Sequence, residues 1–359
     1  MEEEDILFEA GTSFYNVHMR LCRSISSLSV GAIEKEIEIC DGFSSTGIRG
    51  IRYAKENPNV SRTAFVEFDE NAAALCRKNI SSNSVRGELF EEDFNRHLMD
   101  HSYNLVELDP FGSPAPYSYF AMRSFRRAKE GYISATATDT AVLCGAHYAA
   151  CLKCYHSRPL HNELCHEAGA RILLKHFANL ASEFDFGIVP LFTLSHRHFF
   201  KIFIRLEKGA EKAVQNEKEI GFINFCGKCG WREGSEIPLQ KCPKCKSKIE
   251  YGGPLWLGKL HSREHIQRMR KLNDGRNYKD KAEIGKLLSL MEKEDDFPPY
   301  FFEVHRSCKR FGLHNPKPIE EIIASLKKKK YSAARTHFSP TGIKTNAPVS
   351  ALKKLIAAK

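Results

Sequence analysis

Short apolar runs alternate with helical repeats through the first half of the chain. Residues 36–40 (EIEIC) alternate apolar and polar positions, which predicts a strand ending at Asp41, and a helix follows over 48–55. Residues 63–68 (TAFVEF) predict a second strand ending at Asp69, with a helix over 71–80 behind it. Residues 103–108 (YNLVEL) run into Asp109, 131–136 (GYISAT) make a further strand, and 187–192 and 199–206 supply late ones. Strands alternating with helices predict an α/β fold with a parallel, doubly wound sheet. Ligands of such sheets lie beyond the C-terminal ends of the strands, where this sequence places Asp41, Asp69 and Asp109. Glu67 alternates with Asp69, so it is expected on the opposite face.

Near Gly209 the pattern stops. The charged stretch 207–219 (EKGAEKAVQNEKE) reads as a linker or a solvated hairpin, and an amphipathic helix begins near Ile319. Charge divides at the same place. Residues 1–207 hold 22 Lys+Arg against 27 Asp+Glu, a net of −5, and residues 208–359 hold 32 against 17, a net of +15. That asymmetry predicts a chemical domain over 1–207 and a basic, polyanion-binding domain over 208–359. No apolar run approaches the ~18–20 residues of a membrane span, and the acidic start MEEEDILFEA lacks the pattern of a signal peptide. The expected location is the cytoplasm, where twelve cysteines are thiols or metal ligands more than disulfides.

The cysteines fall into two groups. Cys226, Cys229, Cys242 and Cys245 have the two-CxxC spacing of a zinc ribbon, expected over 222–250, with Zn2+ in a closed structural role. A redox dithiol is the weaker reading, since two pairs are present. Cys151, Cys154, Cys165 and His166, with His147 nearby, sit in a helical stretch and read as buried or incidental thiols.

Two turns carry candidate chemistry. Residues 41–50 (DGFSSTGIRG) leave a strand and open a helix, resembling the first motif of Rossmann-like methyltransferases, where the turn cradles the methionine part of S-adenosyl-L-methionine (SAM). Asp69 suits a ribose diol, and Asp93 is placed either to touch the adenine or to cap a helix. Residues 109–116 (DPFGSPAP) put an acid, a proline and an aromatic directly after a buried strand. The exocyclic amine of a base is a weak nucleophile because its lone pair is delocalised. A carboxylate (Asp109) and a carbonyl held by Pro110 can accept its two hydrogens, and Asp109 can take the released proton. Phe111 offers a stacking face. In the basic tail, Lys327, Lys328, Lys329, Lys330, Arg335, His337 and Lys344 alternate with Tyr331 and Phe338, a mixture suited to phosphates and bases of RNA. A solvated helix end is the other reading of the four lysines.

FYNVHMRLCRS, DGFSSTGIRGIRYAKE, DPFGSPAP, TATDTAVLCG, ELCHEAGARILL, GPLWLG and RTHFSPTGIKT occur in that order over 14–345. Together they resemble the archaeal and eukaryotic tRNA guanine-26 N2-dimethyltransferase family. The resemblance implies a Rossmann-like class I SAM-dependent methyltransferase domain and a smaller α+β C-terminal domain with the zinc ribbon. It implies that Asp109 is the catalytic acid–base, and that Phe14 and Phe111 sandwich a flipped guanine. It further implies that Arg23, Arg49 and Asp69 hold SAM, with Asp41 in the same turn, and that Thr138 and Asp139 line or shape the pocket. The family pattern near the start resembles FYNPxMxxNRD. Here Val17, Cys22 and Ser24 replace its proline, asparagine and aspartate, so the groups orienting Arg23 differ. The expected substrate is tRNA, with no membrane and no obligate protein partner. Transfer to a different RNA guanine, or an RNA-binding protein without catalysis, are the alternatives. Spacing does not distinguish a mono- from a dimethylated product.

Overall fold

The computed structural model describes residues 1–11, 13–294 and 296–357. A short hairpin, β1 (Glu2–Glu3) and β2 (Ile6–Leu7), precedes helix α1 (Arg20–Gly31). Then come β3 (Ile37–Gly42), α2 (Ile48–Glu56), β4 (Val60–Glu67), α3 (Glu70–Ser82), β5 (Gly87–Glu91), α4 (Phe94–Asp100), β6 (Leu105–Leu108), α5 (Ala115–Ser124) and β7 (Glu130–Ala137). Helices α6 (Thr140–Leu143), α7 (Tyr148–Tyr155) and α8 (Cys165–Glu183) lead to β8 (Phe186–His196) and β9 (Phe199–Lys208). The seven strands β3–β9 form one sheet in the order β5-β4-β3-β6-β7-β9-β8. The first five run parallel, and β9 pairs antiparallel with both β7 and β8. The chain reverses direction across the sheet at β3, so the turns after β3 and β6 open side by side at its C-terminal edge.

The stretch expected as a linker is helix α9 (Ala210–Lys218). Its buried Asn216 accepts from Ile188 N (3.0 Å) and donates to Phe186 O (2.9 Å), fastening the helix to β8 while Lys and Glu face outward. Beyond it, β10 (Ile220–Phe225), β11 (Arg232–Ser235) and β12 (Glu250–Trp256) make a three-stranded antiparallel sheet. Helices α10 (Arg263–Gly275) and α11 (Lys281–Glu294) follow. The last segment has its own core beneath a small three-stranded sheet. Among the described residues no helix is long and apolar enough to cross a membrane.

The apolar cores do not respect the charge boundary at 207/208. Ile266, Met269, Ile284, Leu288 and Met291 of α10 and α11 are buried with Leu21, Ile25 and Leu28 of α1 and with Leu194 of β8. Ile223, Phe225, Leu255 and Trp256 join the core on the other face of the sheet, with Leu173 and Phe177 of α8. Polar latches repeat the connection, with Arg20 on Asp280 (2.9 Å) and Ser29 Oγ 2.7 Å from His265 Nε2.

The segment 335–345 is a structural latch. Lys344, expected to face tRNA, is 1% exposed; its Nζ donates to Glu167 Oε1 (2.6 Å) and Pro298 O (3.1 Å), and Arg171 binds the same carboxylate. His337 and Thr336 are spent on the buried carboxylate of Glu294, and Phe338 is buried too. A charge read along the sequence says nothing of whether a buried counter-charge waits for it, and here Glu167 does.

Residues 1–207 alone should therefore not fold. Exposing four of the shared core side chains at roughly 1.5–3 kcal/mol each removes an amount comparable with the ~5–15 kcal/mol stability of a whole domain. Near-ultraviolet circular dichroism and dye binding should show a loosely packed state, and a cooperative unfolding transition would contradict the shared core. In the intact chain, Lys344→Ala should cost ~1–3 kcal/mol, because Glu167 loses one of its two buried cationic partners and keeps only Arg171. Denaturant melts of that variant and of a Lys330→Ser control, which should stay near wild type, check the contrast.

Candidate active site

The turn after β3 builds the floor of a cavity of about 820 Å³, toward the upper end of the ~300–1,000 Å³ usual for small-ligand sites. Asp41 is 1% exposed and its carboxylate accepts from Gly50 N (2.9 Å), while Ser44 Oγ donates to the Asp41 carbonyl (2.6 Å). Gly47 stands at φ +75° at the start of α2, where a Cβ would lie 2.7 Å from Cys76 Sγ, so glycine is required twice over.

Beneath the cavity lies a knot of buried charge. Glu107 of β6 is fully buried; its carboxylate is ion-paired with Lys201 of β9 and accepts from Tyr53 OH (2.8 Å). Lys201 Nζ also donates to Thr136 Oγ1 (3.0 Å). Arg49 of α2 lies 3.8 Å from Glu107 and donates to Asp109, the residue just beyond β6. Burial pushes the Asp109 carboxyl up, but Arg49 and Lys201 outweigh it and hold the group below the ordinary aspartate value. Asp41 goes the other way: burial dominates, and Arg49 only partly offsets it, so its pKa rises to about 8. Two neighbouring aspartates are thus set to opposite protonation states at neutral pH.

The loop carrying Asp109, Pro110 and Phe111 is braced from β7. Gly112 sits at φ +78°, its N–H donates to Thr138 Oγ1 (2.8 Å) and its carbonyl accepts from Thr138 N (2.9 Å). Tyr155 OH bonds Ser113 Oγ (2.7 Å) and both oxygens of Asp139 (3.0 and 3.1 Å). Thr138 lines the cavity, whereas Asp139 acts on the loop through Tyr155. Phe111 and Phe14 project from opposite rims, 76% and 57% exposed, with ring centroids 4.6 Å apart at 80°. Ser45 Oγ holds the Phe14 carbonyl at 2.9 Å.

Arg23 lines the cavity and is buried against Glu3, which also pairs with Arg52 (2.8 Å) and accepts from Tyr15 OH (2.7 Å). Burial raises the Glu3 pKa, but the Arg23 hydrogen bond and the two guanidinium charges bring it down to about 2. The carboxylate that Ser24 lacks thus reaches Arg23 from the N-terminal hairpin; sequence reasoning missed Glu3 because it lies twenty residues away in an exposed-looking acidic run.

At the end of β4 both acids line the cavity. Glu67 is not turned away: the strand ends there, alternation ceases, and its carboxylate accepts from Ser45, Phe68 and Asp69 N–H groups at 2.7–3.0 Å. Asp69 caps α3 by accepting from Ala72 N (2.8 Å). Asp93 caps α4 through Arg96 N (2.9 Å) and lies outside the cavity lining, which favours the cap of its two readings. The β8–β9 turn brings Arg197, His198 and Phe199 to the cavity, a contribution no motif signalled.

The four ribbon cysteines come together, with Cys226 and Cys245 sulfurs 3.5 Å apart and Cys229 and Cys242 sulfurs 3.6 Å apart. Tetrahedral zinc with bonds of ~2.3 Å needs sulfurs about 3.8 Å apart. Each CxxC is followed by a left-handed residue, Gly230 at φ +78° and Lys246 at φ +62°, whose N–H returns to the carbonyl of the first cysteine (2.8 and 2.9 Å). The donor set and geometry fit zinc. Lys327, Lys328, Lys329 and Lys330 are all exposed, whereas Arg335 is half-buried and paired with Glu320 (2.7 Å).

The Asp41 pKa has a consequence for stability. A carboxyl near 8 in the folded chain and near ~4 unfolded stabilises the fold below the unfolded value, and that contribution is lost as pH rises toward 8. Wild-type melting temperature should fall over this window relative to Asp41→Asn, measured by calorimetry from pH 5 to 9; parallel curves would contradict the assignment.

The model of the N2,N2-dimethylguanosine tRNA methyltransferase family matches residues 1–357. A tRNA (guanine(26)-N(2))-dimethyltransferase of Methanobrevibacter smithii is 34% identical over 354 residues, covering 96% of this chain and 90% of the relative. One from Pyrococcus abyssi is 37% identical over 354 residues, covering 93% and 90%. The structure of Trm1 from Pyrococcus horikoshii in complex with S-adenosyl-L-methionine superposes with a TM-score of 0.88 at 34% identity, over 98% of this chain and 97% of that one. With this agreement along nearly its whole length, the chain belongs to the N2,N2-dimethylguanosine tRNA methyltransferase family.

Proposed function

We propose that the protein is a tRNA (guanine-26 N2)-dimethyltransferase that uses SAM. The observation carrying this reading is Asp109: a carboxylate kept ionised by Arg49, on a braced Asp-Pro-Phe turn, below two exposed aromatic rings. The full-length likeness to a family named for the reaction supports it.

When bound, SAM supplies an electrophilic methyl group. The turn after Asp41, with Arg23 and the acids Asp69 and Glu67, lines the part of the cavity suited to its amino-acid and ribose groups. Asp109 accepts a hydrogen bond from the guanine amine, and the Pro110 carbonyl is the candidate second acceptor, which turns the lone pair toward the methyl group. Each transfer releases one proton from N2. Alkylation makes that nitrogen strongly acidic, so even a carboxylate with a lowered pKa accepts the proton and passes it to water. A second turnover gives the dimethyl product.

Guanine in a stem must leave the stack, which costs a few kcal/mol. Phe14 and Phe111 touch edge-on at 4.6 Å, whereas a sandwiched base needs them about 7 Å apart, twice the ~3.5 Å contact distance. Base entry therefore parts this pair, and stacking returns ~1–3 kcal/mol per face. Lys327 to Lys330, exposed in the basic half, would meet phosphates; Zn2+ on Cys226, Cys229, Cys242 and Cys245 would hold the ribbon.

Mass spectrometry of nucleosides and of ribonuclease fragments from tRNA treated with enzyme and SAM should find N2,N2-dimethylguanosine, in the fragment holding position 26; methylation confined to another guanine, or none, contradicts the reading. Asp109→Asn should lower the transfer rate ~10²–10⁴-fold with SAM affinity within a few-fold. Phe14→Ala should slow transfer without changing the salt dependence of tRNA binding. Serine at Lys327 to Lys330 should flatten that dependence by ~0.7–0.9 in log–log slope for each phosphate no longer neutralised.

A further inference from the structure

Helix α6 ends one residue before Cys144, and α8 begins with Cys165 and His166. Cys144 Sγ lies 3.6 Å from His166 Nδ1, and the two sulfurs and a ring nitrogen of His166 all lie within 4.8 Å of one another. A tetrahedral ion with bonds of ~2.3 Å to sulfur and ~2.0–2.1 Å to nitrogen separates such a pair by about 3.5 Å. Both thiols are half-exposed and the imidazole is exposed, so solvent reaches the cluster. His161 is fixed beside it, Nδ1 3.1 Å from the Cys144 carbonyl. Cys151 and Cys154, the nearest cysteines in sequence, are not members, and Cys151 is fully buried.

A buried histidine cluster elsewhere shows the contrast. His261 and His337 face Glu294, but their remaining ring nitrogens accept from Thr193 N (3.2 Å) and Ser195 N (3.3 Å), and Glu294 is also bound by Thr336. Its donors and acceptors are spent on the fold. The ribbon differs in another way, with four cysteines and no position left over.

We propose that Cys144, Cys165 and His166 form a second metal site, for a thiophilic divalent cation of the zinc class, with water in the fourth position. The two thiols release their protons to solvent on binding. Such an ion would tie the end of α6 to the start of α8. Since α6 starts at Thr140, directly after Thr138 and Asp139, the tie would stiffen the strand end that braces the catalytic loop at Gly112 and Ser113.

The test is metal content of the full chain, purified with added zinc and without chelator, then dialysed. Two ions per chain are expected for wild type, and one each for Cys144→Ser and Cys165→Ser. One ion in all three overturns the proposal, as does a Cys144–Cys165 disulfide found by peptide mapping of wild type. Should either serine variant fold poorly, His166→Asn serves in its place. Cobalt-loaded wild type should then show a thiolate charge-transfer band larger than that variant's, and equal bands overturn the site.

Discussion

Everything at the site depends on burying charge in balance. Glu107 and Lys201 are 0% exposed, Arg49 is 5% and Asp41 1%, and a lone ion in such surroundings costs several kcal/mol. Arg49 and Lys201 offer two positive charges, which Glu107 and Asp109 match. A third anion has no partner left, and Asp41 accordingly takes up a proton, its pKa rising to about 8. The same balance keeps Asp109 ionised. Strand order supplies the geometry: β6 lies between β3 and β7, so Glu107, Asp41 and the Thr136 end of β7 meet above one patch of sheet, and β9 delivers Lys201 to it from beside β7.

Much of this was legible in the sequence. Apolar runs ending in acids located β3, β4 and β6, and the DPFG turn gave Asp109, Pro110 and Phe111 their places at the cavity. Two CxxC pairs gave the ribbon. What could not be read was which charges would find partners. Glu3, in an acidic run that looks solvated, is the buried counter-ion of Arg23 and Arg52. Lys344, in a basic run that looks RNA-facing, is the buried counter-ion of Glu167. Glu67 escaped because alternation fails where a strand ends. Helix α1 was missed for another reason: Leu21, Ile25 and Leu28 do recur at helical spacing, but Ser24, Ser26, Ser27 and Ser29, which read as a polar loop, are buried between them.

The acidic and basic halves of the sequence are one packed body rather than two beads. Helices α10 and α11 cover α1 and the β8 end of the sheet, and Phe301 and Phe338 enter the core around α8. The exposed lysines Lys327 to Lys330, proposed above to meet tRNA, lie on the last segment, which the latch at 335–345 ties to this body through Glu167 and Glu294.

The central claim is that Arg49 keeps Asp109 ionised so that it can accept hydrogen from the guanine amine. Single-turnover methyl transfer at saturating SAM and tRNA, followed against pH for wild type and Arg49→Met, tests it most directly. Wild type should show no acid limb from Asp109 above the ordinary aspartate value of 3.8, whereas Arg49→Met should lose rate as pH falls from a distinctly higher value. Superimposable pH profiles for the two proteins would contradict the account.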